Sequence, residues 1–235
     1  MNTQLVAMHM SDGIVGAPVS VFFMMVAIAA LAVCAWRARE ELDERTVPLA
    51  GLVAAFIFAV QMVNFPILPG VSGHLLGGAL AAILVGPFTG ALCVAIVLVV
   101  QALLFADGGV TALGTNITNM SVFGVAAGYG TALLLYRLIR RGRDNVAVAG
   151  VGVIAFVSGL VGTVCAAMGF VLEYALGGAA TTSLGTVAAY MFGTHVLIGI
   201  GEGAITALTV VAVVRARPDL VYLLRTDRSR TAVPA

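Results

Sequence analysis

The chain has 235 residues, of which 61% are hydrophobic and only 10% charged, with a formal net charge of +1. Soluble domains carry roughly a quarter charged residues, so a soluble core is excluded, and the near-neutral balance gives no reason to expect nucleic acid as a partner. All twelve basic residues are arginine, which excludes a P-loop, whose lysine meets the β- and γ-phosphates, and lysine Schiff-base chemistry.

The first seven residues have neither a basic n-region nor an apolar h-region of adequate length, so they do not read as a secretory signal. Apolar segments then follow at about 18–36, 47–64, 73–86, 88–105, 114–137, 147–172 and 186–214. A helix needs roughly 20 residues to cross the hydrocarbon core. The third segment is short by that measure, and Gly70, Gly73, Gly77 and Gly78 with Pro69 and Pro87 suit a partial, tilted span with irregular backbone. In the fifth, Gly124 and Gly128 form a GxxxG pair, a helix-packing signal joined by Gly159, Gly162, Gly199 and Gly203 further on. Glu173, beyond the sixth segment, reads as a solvated rim residue. In the seventh, His195 and Glu202 lie two turns apart and share a helix face as a buried polar pair. Cys34, Cys93 and Cys165 sit inside apolar runs at no metal-binding spacing and read as small buried residues.

The arginines order these segments. They cluster at 37–45, 137–143 and 215–230, after segments one, five and seven, and with seven spans all three clusters fall on one side. The positive-inside rule makes that side cytoplasmic. The expectation is an all-α membrane protein, a bundle of about seven transmembrane helices with the N-terminus outside and the C-terminus cytoplasmic. Residues 8–215 form one transmembrane domain, 1–7 a mis-assigned or removed stub, and 216–235 a cytoplasmic tail. No internal repeat of the kind that marks many secondary transporters is evident.

Only three histidines occur, and this topology brings two of them, His9 and His74, to the outer side. Two imidazoles converging from one face suit a first-row transition metal; a lone interfacial histidine is more often a satisfied polar residue. The stretch Met8-His9-Met10-Ser11-Asp12-Gly13 resembles the N-terminus of the CbiM/NikM family, the substrate-specific membrane components of energy-coupling-factor cobalt and nickel transporters. So do Asn64-Phe65-Pro66-Ile67, Ser72-Gly73-His74-Leu75-Leu76-Gly77-Gly78, Gln101-Ala102-Leu103-Leu104-Phe105 and Asp107-Gly108-Gly109. Gly114-Thr115-Asn116-Ile117, Asn119-Met120, His195-Val196-Leu197-Ile198-Gly199 and Glu202-Gly203 follow in the same order. The resemblance runs from Met8 to about Arg215.

The resemblance implies that Co2+ or Ni2+ is the transported substrate, with no permanent cofactor. Its ligands would be the amine of Met8, the backbone nitrogen and ring of His9, and the ring of His74. Seven residues precede Met8 here, so an amine ligand requires the mature chain to begin at Met8. Asp12, Asn64, Ser72, Asn116 and Asn119 are positioned to orient the ligands, against the alternative of turns and caps. The implied partners are a transmembrane coupling subunit, two cytoplasmic ATPase subunits and a separate small accessory membrane subunit, in a bacterial plasma membrane. Such an importer would supply cobalamin biosynthesis or nickel enzymes; the sequence does not separate cobalt from nickel. An alternative from another class is a rhomboid-like intramembrane serine protease, since Gly70-Val71-Ser72-Gly73 is a GxSG pattern with His195 on a later helix.

Overall fold

A computed structural model of the chain describes residues 9–63, 65–68, 71–141, 146–178 and 182–225. Each apolar segment contains a helix, the third only in its second half: α1 (Ala17–Arg37), α2 (Thr46–Gln61), α3 (Gly78–Val85), α4 (Pro87–Leu104), α5 (Leu113–Asn116) running through a π-helical stretch (Ile117–Gly124) into α6 (Val125–Arg140), α7 (Val148–Gly177) and α8 (Leu184–Ala216). Five are long and apolar enough to cross a membrane: Ala17–Glu40, Pro87–Leu104, Leu113–Arg140, Val148–Gly177 and Leu184–Ala216. The other two are shorter, with 16 residues in α2 and 8 in α3. Between α2 and α3 a small antiparallel hairpin pairs β1 (Phe65–Leu68) with β2 (Val71–Gly73), an element that an all-helical reading did not anticipate.

The boundaries follow local chemistry. Proline stands in the first turn of α1 and of α4, where its missing N–H costs nothing. The Ser183 hydroxyl caps α8 by accepting from the Thr186 N–H. Between α3 and α4 the chain turns through Gly86 at φ +101°, and the buried Glu41 carboxylate fills the space there, accepting from the Phe88 and Thr89 N–H groups at the start of α4.

All eight residues of α3 are buried. A helix that is apolar on every side belongs in the middle of a bundle, and α3 packs against α2, α4, α6, α7 and α8. It ends well short of a full crossing, about 12 Å at 1.5 Å per residue, so its N-terminal end and the loop before it lie within the bundle rather than at its rim. The longer helices expose large apolar side chains such as Phe22, Ile28, Ile96, Leu134 and Leu208, the surface that a hydrocarbon solvent demands.

Close approach of small residues joins α5–α6, α7 and α8. A Cβ on Gly162 would lie 2.8 Å from the Gly124 carbonyl oxygen, one on Gly128 2.8 Å from Ala79 Cβ, and one on Gly159 3.0 Å from the Gly203 backbone. The two glycines of the GxxxG pair thus meet different neighbours. Of the cysteines, Cys93 is buried and Cys34 half-buried, but Cys165 is exposed, because its side of α7 faces outward.

The first and last arginine-bearing segments meet. The Arg225 guanidinium donates to the Thr46 hydroxyl at 2.9 Å and lies 3.6 Å from Asp43. The segment before it is no loose tail: Val221 and Leu223 are 0% and 1% exposed within the main hydrophobic core.

Candidate metal centre

The loop 74–77 leads from β2 into α3, its one helical bond being that from the Ala81 N–H to the Gly77 carbonyl. Side chains supply what secondary structure does not. The Glu202 carboxylate, from α8, accepts the N–H groups of Leu76 and Gly77, each at 2.8 Å, on separate oxygens. From the end of α2 the Gln61 amide donates to the Leu76 carbonyl at 2.7 Å. Gly77 takes a left-handed φ of +80°, and a Cβ there would meet Ile57 at 2.7 Å, so only glycine fits. His74 is 7% exposed, with Nδ1 2.9 Å from the Leu75 carbonyl. In a neutral ring that contact fixes the proton on Nδ1 and directs the lone pair to Nε2.

The N-terminal segment reaches into the same end of the bundle. Asn116 holds Met10 at both backbone groups: Met10 N–H donates to Oδ1 and Nδ2 donates to the Met10 carbonyl, each at 3.1 Å. That carbonyl also accepts from Gly109 N–H. Asp12 accepts from the Thr111 N–H and hydroxyl, and the hydroxyl, more than burial opposes it, holds the carboxyl below its ordinary range. Further on, Val15 pairs with Gly178 and Gly16 N–H donates to the Gly177 carbonyl. Gly108, at φ +89°, lets the chain pass so close that a Cβ would fall 2.9 Å from His9 Cβ.

These two constructions bring His9 and His74 together, with ring centroids 4.6 Å apart and planes tilted by 52°. His9 is 7% exposed, and among the described residues neither of its ring nitrogens makes a hydrogen bond. Asp107 Oδ1 stands 3.3 Å from His9 Nδ1, close enough to pair with a protonated ring. A buried imidazole with no hydrogen-bond partner calls for a ligand, since such groups are rarely left unmet. Two adjacent imidazoles suit a borderline first-row metal. Among the described residues no third histidine, cysteine, aspartate or glutamate completes a cluster.

The remaining expected residues divide. Met8 and Asn64 lie outside the described residues, as does the Ser72 side chain. Asp12 and Asn116 act on the backbone of the N-terminal segment and its neighbouring loop rather than on an imidazole. Asn119 donates to Glu173 at 2.8 Å. Glu173 is 0% exposed: it is no rim residue, because α7 continues to Gly177 and the N-terminal segment covers its end. His195 and Glu202 do not bond to each other among the described residues; His195 Nδ1 lies 2.8 Å from the Met191 carbonyl of its own helix. The sequence gives Asp107 and Gln61 no site signature of their own. Asp107 offered only its place in Asp107-Gly108-Gly109, and Gln61 stood alone at the end of an apolar run.

The family described as "Cobalt uptake substrate-specific transmembrane region" matches residues 9–220. Over 91% of its length the chain is 41% identical to a putative fused nickel transport protein NikMN from Archaeoglobus fulgidus, covering 68% of that protein. It is 39% identical to a putative metal transport protein from Haloquadratum walsbyi, with 92% of this chain and 94% of that one covered. To the cobalt transport protein CbiM of Sorangium cellulosum it is 31% identical, over 94% and 97%. A crystal structure of a transition metal transporter superposes with a TM-score of 0.77 at 27% identity, covering 96% of this chain and all of that one. A truncated transition metal transporter gives 0.76 at 28% identity, over 89% and 99%. None of these relatives supports the protease alternative.

Proposed function

Because the chain belongs to the CbiM family of substrate-specific transmembrane regions for cobalt uptake, we propose that it is the metal-capturing component of a cobalt or nickel importer, a multi-pass membrane protein that takes Co2+ or Ni2+ as substrate on its histidine-bearing face. The observation that carries this is the buried His9–His74 pair, with ring centroids 4.6 Å apart and His9 without hydrogen bonds among the described residues. Both rings supply nitrogen donors. The Met8 amine and the His9 backbone nitrogen complete the set in a chain that starts at Met8, and amine, amide and imidazole of adjacent residues then close small chelate rings. A planar arrangement of nitrogens suits Ni(II) and Cu(II), and imidazole serves several first-row metals.

In this proposal α2 crosses the membrane and α3 with the loop before it makes a partial span, which gives about seven segments in all, and the arginine clusters put their end of the bundle in the cytoplasm of a bacterial cell. The chain contains no lysine, hence no P-loop. In this proposal its energy comes from partners, a transmembrane coupling subunit with two cytoplasmic ATPase subunits, together with a small accessory membrane subunit. The imported metal would supply cobalamin biosynthesis or nickel enzymes.

Calorimetric titration of the purified protein with Co(II) and Ni(II) tests the site. Binding is expected in the unaltered protein and is expected to vanish in His74→Ala and His9→Ala. Unchanged binding in both variants overturns the histidine site. Intact mass decides the amine ligand, which requires a mature chain beginning at Met8.

A further inference from the structure

A carboxylate in the middle of an apolar helix is costly to insert, so its partners are informative. Glu202 is 3% exposed, and it reaches across 126 residues of sequence to Leu76 N–H and 125 to Gly77 N–H. His195, on the same helix face, is engaged with Met191. Glu202 therefore serves the loop rather than its own helix.

We propose that Glu202, with Gln61, is the positioning residue that sets the direction from which His74 meets the metal. This rests on the metal-capture reading above and assigns a part to residues outside the ligand set. A chain of contacts leads to the ring. Glu202 fixes the Leu76 and Gly77 amides, Gln61 fixes the Leu76 carbonyl, and the Leu75 carbonyl one residue back holds His74 Nδ1 at 2.9 Å. The tautomer and tilt of the imidazole follow from the loop that these contacts anchor. Groups that orient ligand imidazoles in this way are part of a metal site.

Glu202 has a second, electrostatic effect. The N-terminal end of α3 carries partial positive charge from its free N–H groups. It opens toward the histidine loop, where it would oppose a bound cation. A carboxylate on the last two amides before the helix offsets that charge. Glutamine cannot substitute, because one of the two N–H groups would then face an NH2.

The test is Co(II) titration of the full-length protein in detergent, read by affinity and by the ligand-field absorption of the bound ion, beside amide hydrogen exchange over residues 74–85. Glu202→Gln is expected to weaken binding about 10- to 100-fold, to shift the absorption, and to speed exchange at Leu76 and Gly77. Glu202→Asp, which keeps two acceptor oxygens, is expected to recover part of the affinity. Should Glu202→Gln fail to yield folded protein, Gln61→Leu is the second variant, with the same absorption shift expected. A Glu202→Gln protein that melts lower but binds with unchanged affinity and absorption overturns the proposal. His74→Ala with unchanged binding would instead remove the metal reading, and the positioning role with it, while faster exchange in Glu202→Gln would still report the loop contact by itself.

Discussion

Asn116 offers one carboxamide to two backbone groups of Met10, 106 residues away in sequence, much as a neighbouring strand would. It is 6% exposed, so replacing it with leucine of similar size leaves the Met10 N–H buried without that acceptor. A buried unmet donor costs about 1–3 kcal/mol. We expect Asn116→Leu to weaken Co(II) binding by about 5- to 150-fold if that whole cost falls on ordering the N-terminal segment, at 1.4 kcal/mol per factor of ten. Titration against the unaltered protein checks it, and His74→Ala gives the floor. Gly108 works at the same scale from the opposite direction, by lacking the atom that would displace His9.

Among the elements, α3 and the α7–α8 pair carry the architecture for different reasons. The half-length α3 brings a loop into the interior, where irregular backbone survives because protein surrounds it. The two longest helices, of 30 and 33 residues, pack through glycine. A side chain at Gly203 would put its Cβ 2.5 Å from the Phe156 carbonyl oxygen and into the Phe156 ring. Gly203→Leu is therefore expected to destabilise the bundle by about 1–3 kcal/mol or more through overpacking, seen as a lower melting temperature in detergent. Gly193→Ala, where a Cβ meets nothing within 4 Å, is the matched control with no such loss.

For the molecule as a whole, one end handles the imidazoles and the other is closed by charge and packing. At that second end Glu41 is buried, and burial, opposed by the Thr89 and Phe88 hydrogen bonds, raises its carboxyl above the ordinary 4.5. The ionised group is then worse placed in the folded than in the unfolded chain. Its contribution to stability is fully present below pH 4.5 and is lost as pH rises through the raised folded value. Glu41→Gln is expected to flatten the difference in melting temperature that the unaltered protein shows across that window. An identical pH profile in the two proteins would show that Glu41 titrates normally. Asp219, half-buried and paired with Arg217, is held down at about 2 and does not titrate in that range.

Hydropathy alone marks where the helices of this chain lie. Seven apolar segments lie within a few residues of helices, because the free energy of burying a residue in lipid is a sum over local sequence. The third segment, short and glycine-rich, forms only the 8-residue α3. The His9–His74 pair was expected on one face from the order of segments alone. What the sequence could not carry is which polar group meets which across the bundle. Glu202 is legible as a buried acid but not as the anchor of residues 76 and 77; Glu173 reads as a rim residue and is enclosed; Asp107 stands only within a family motif, and Gln61 gives no signal. Those partnerships span tens to more than a hundred residues, and hydrogen bonds depend on distance and angle to a fraction of an ångström. Hydropathy fixes which segments become helices; only the packed tertiary structure decides which side of each faces inward, as at Cys165, and which backbone amide waits there.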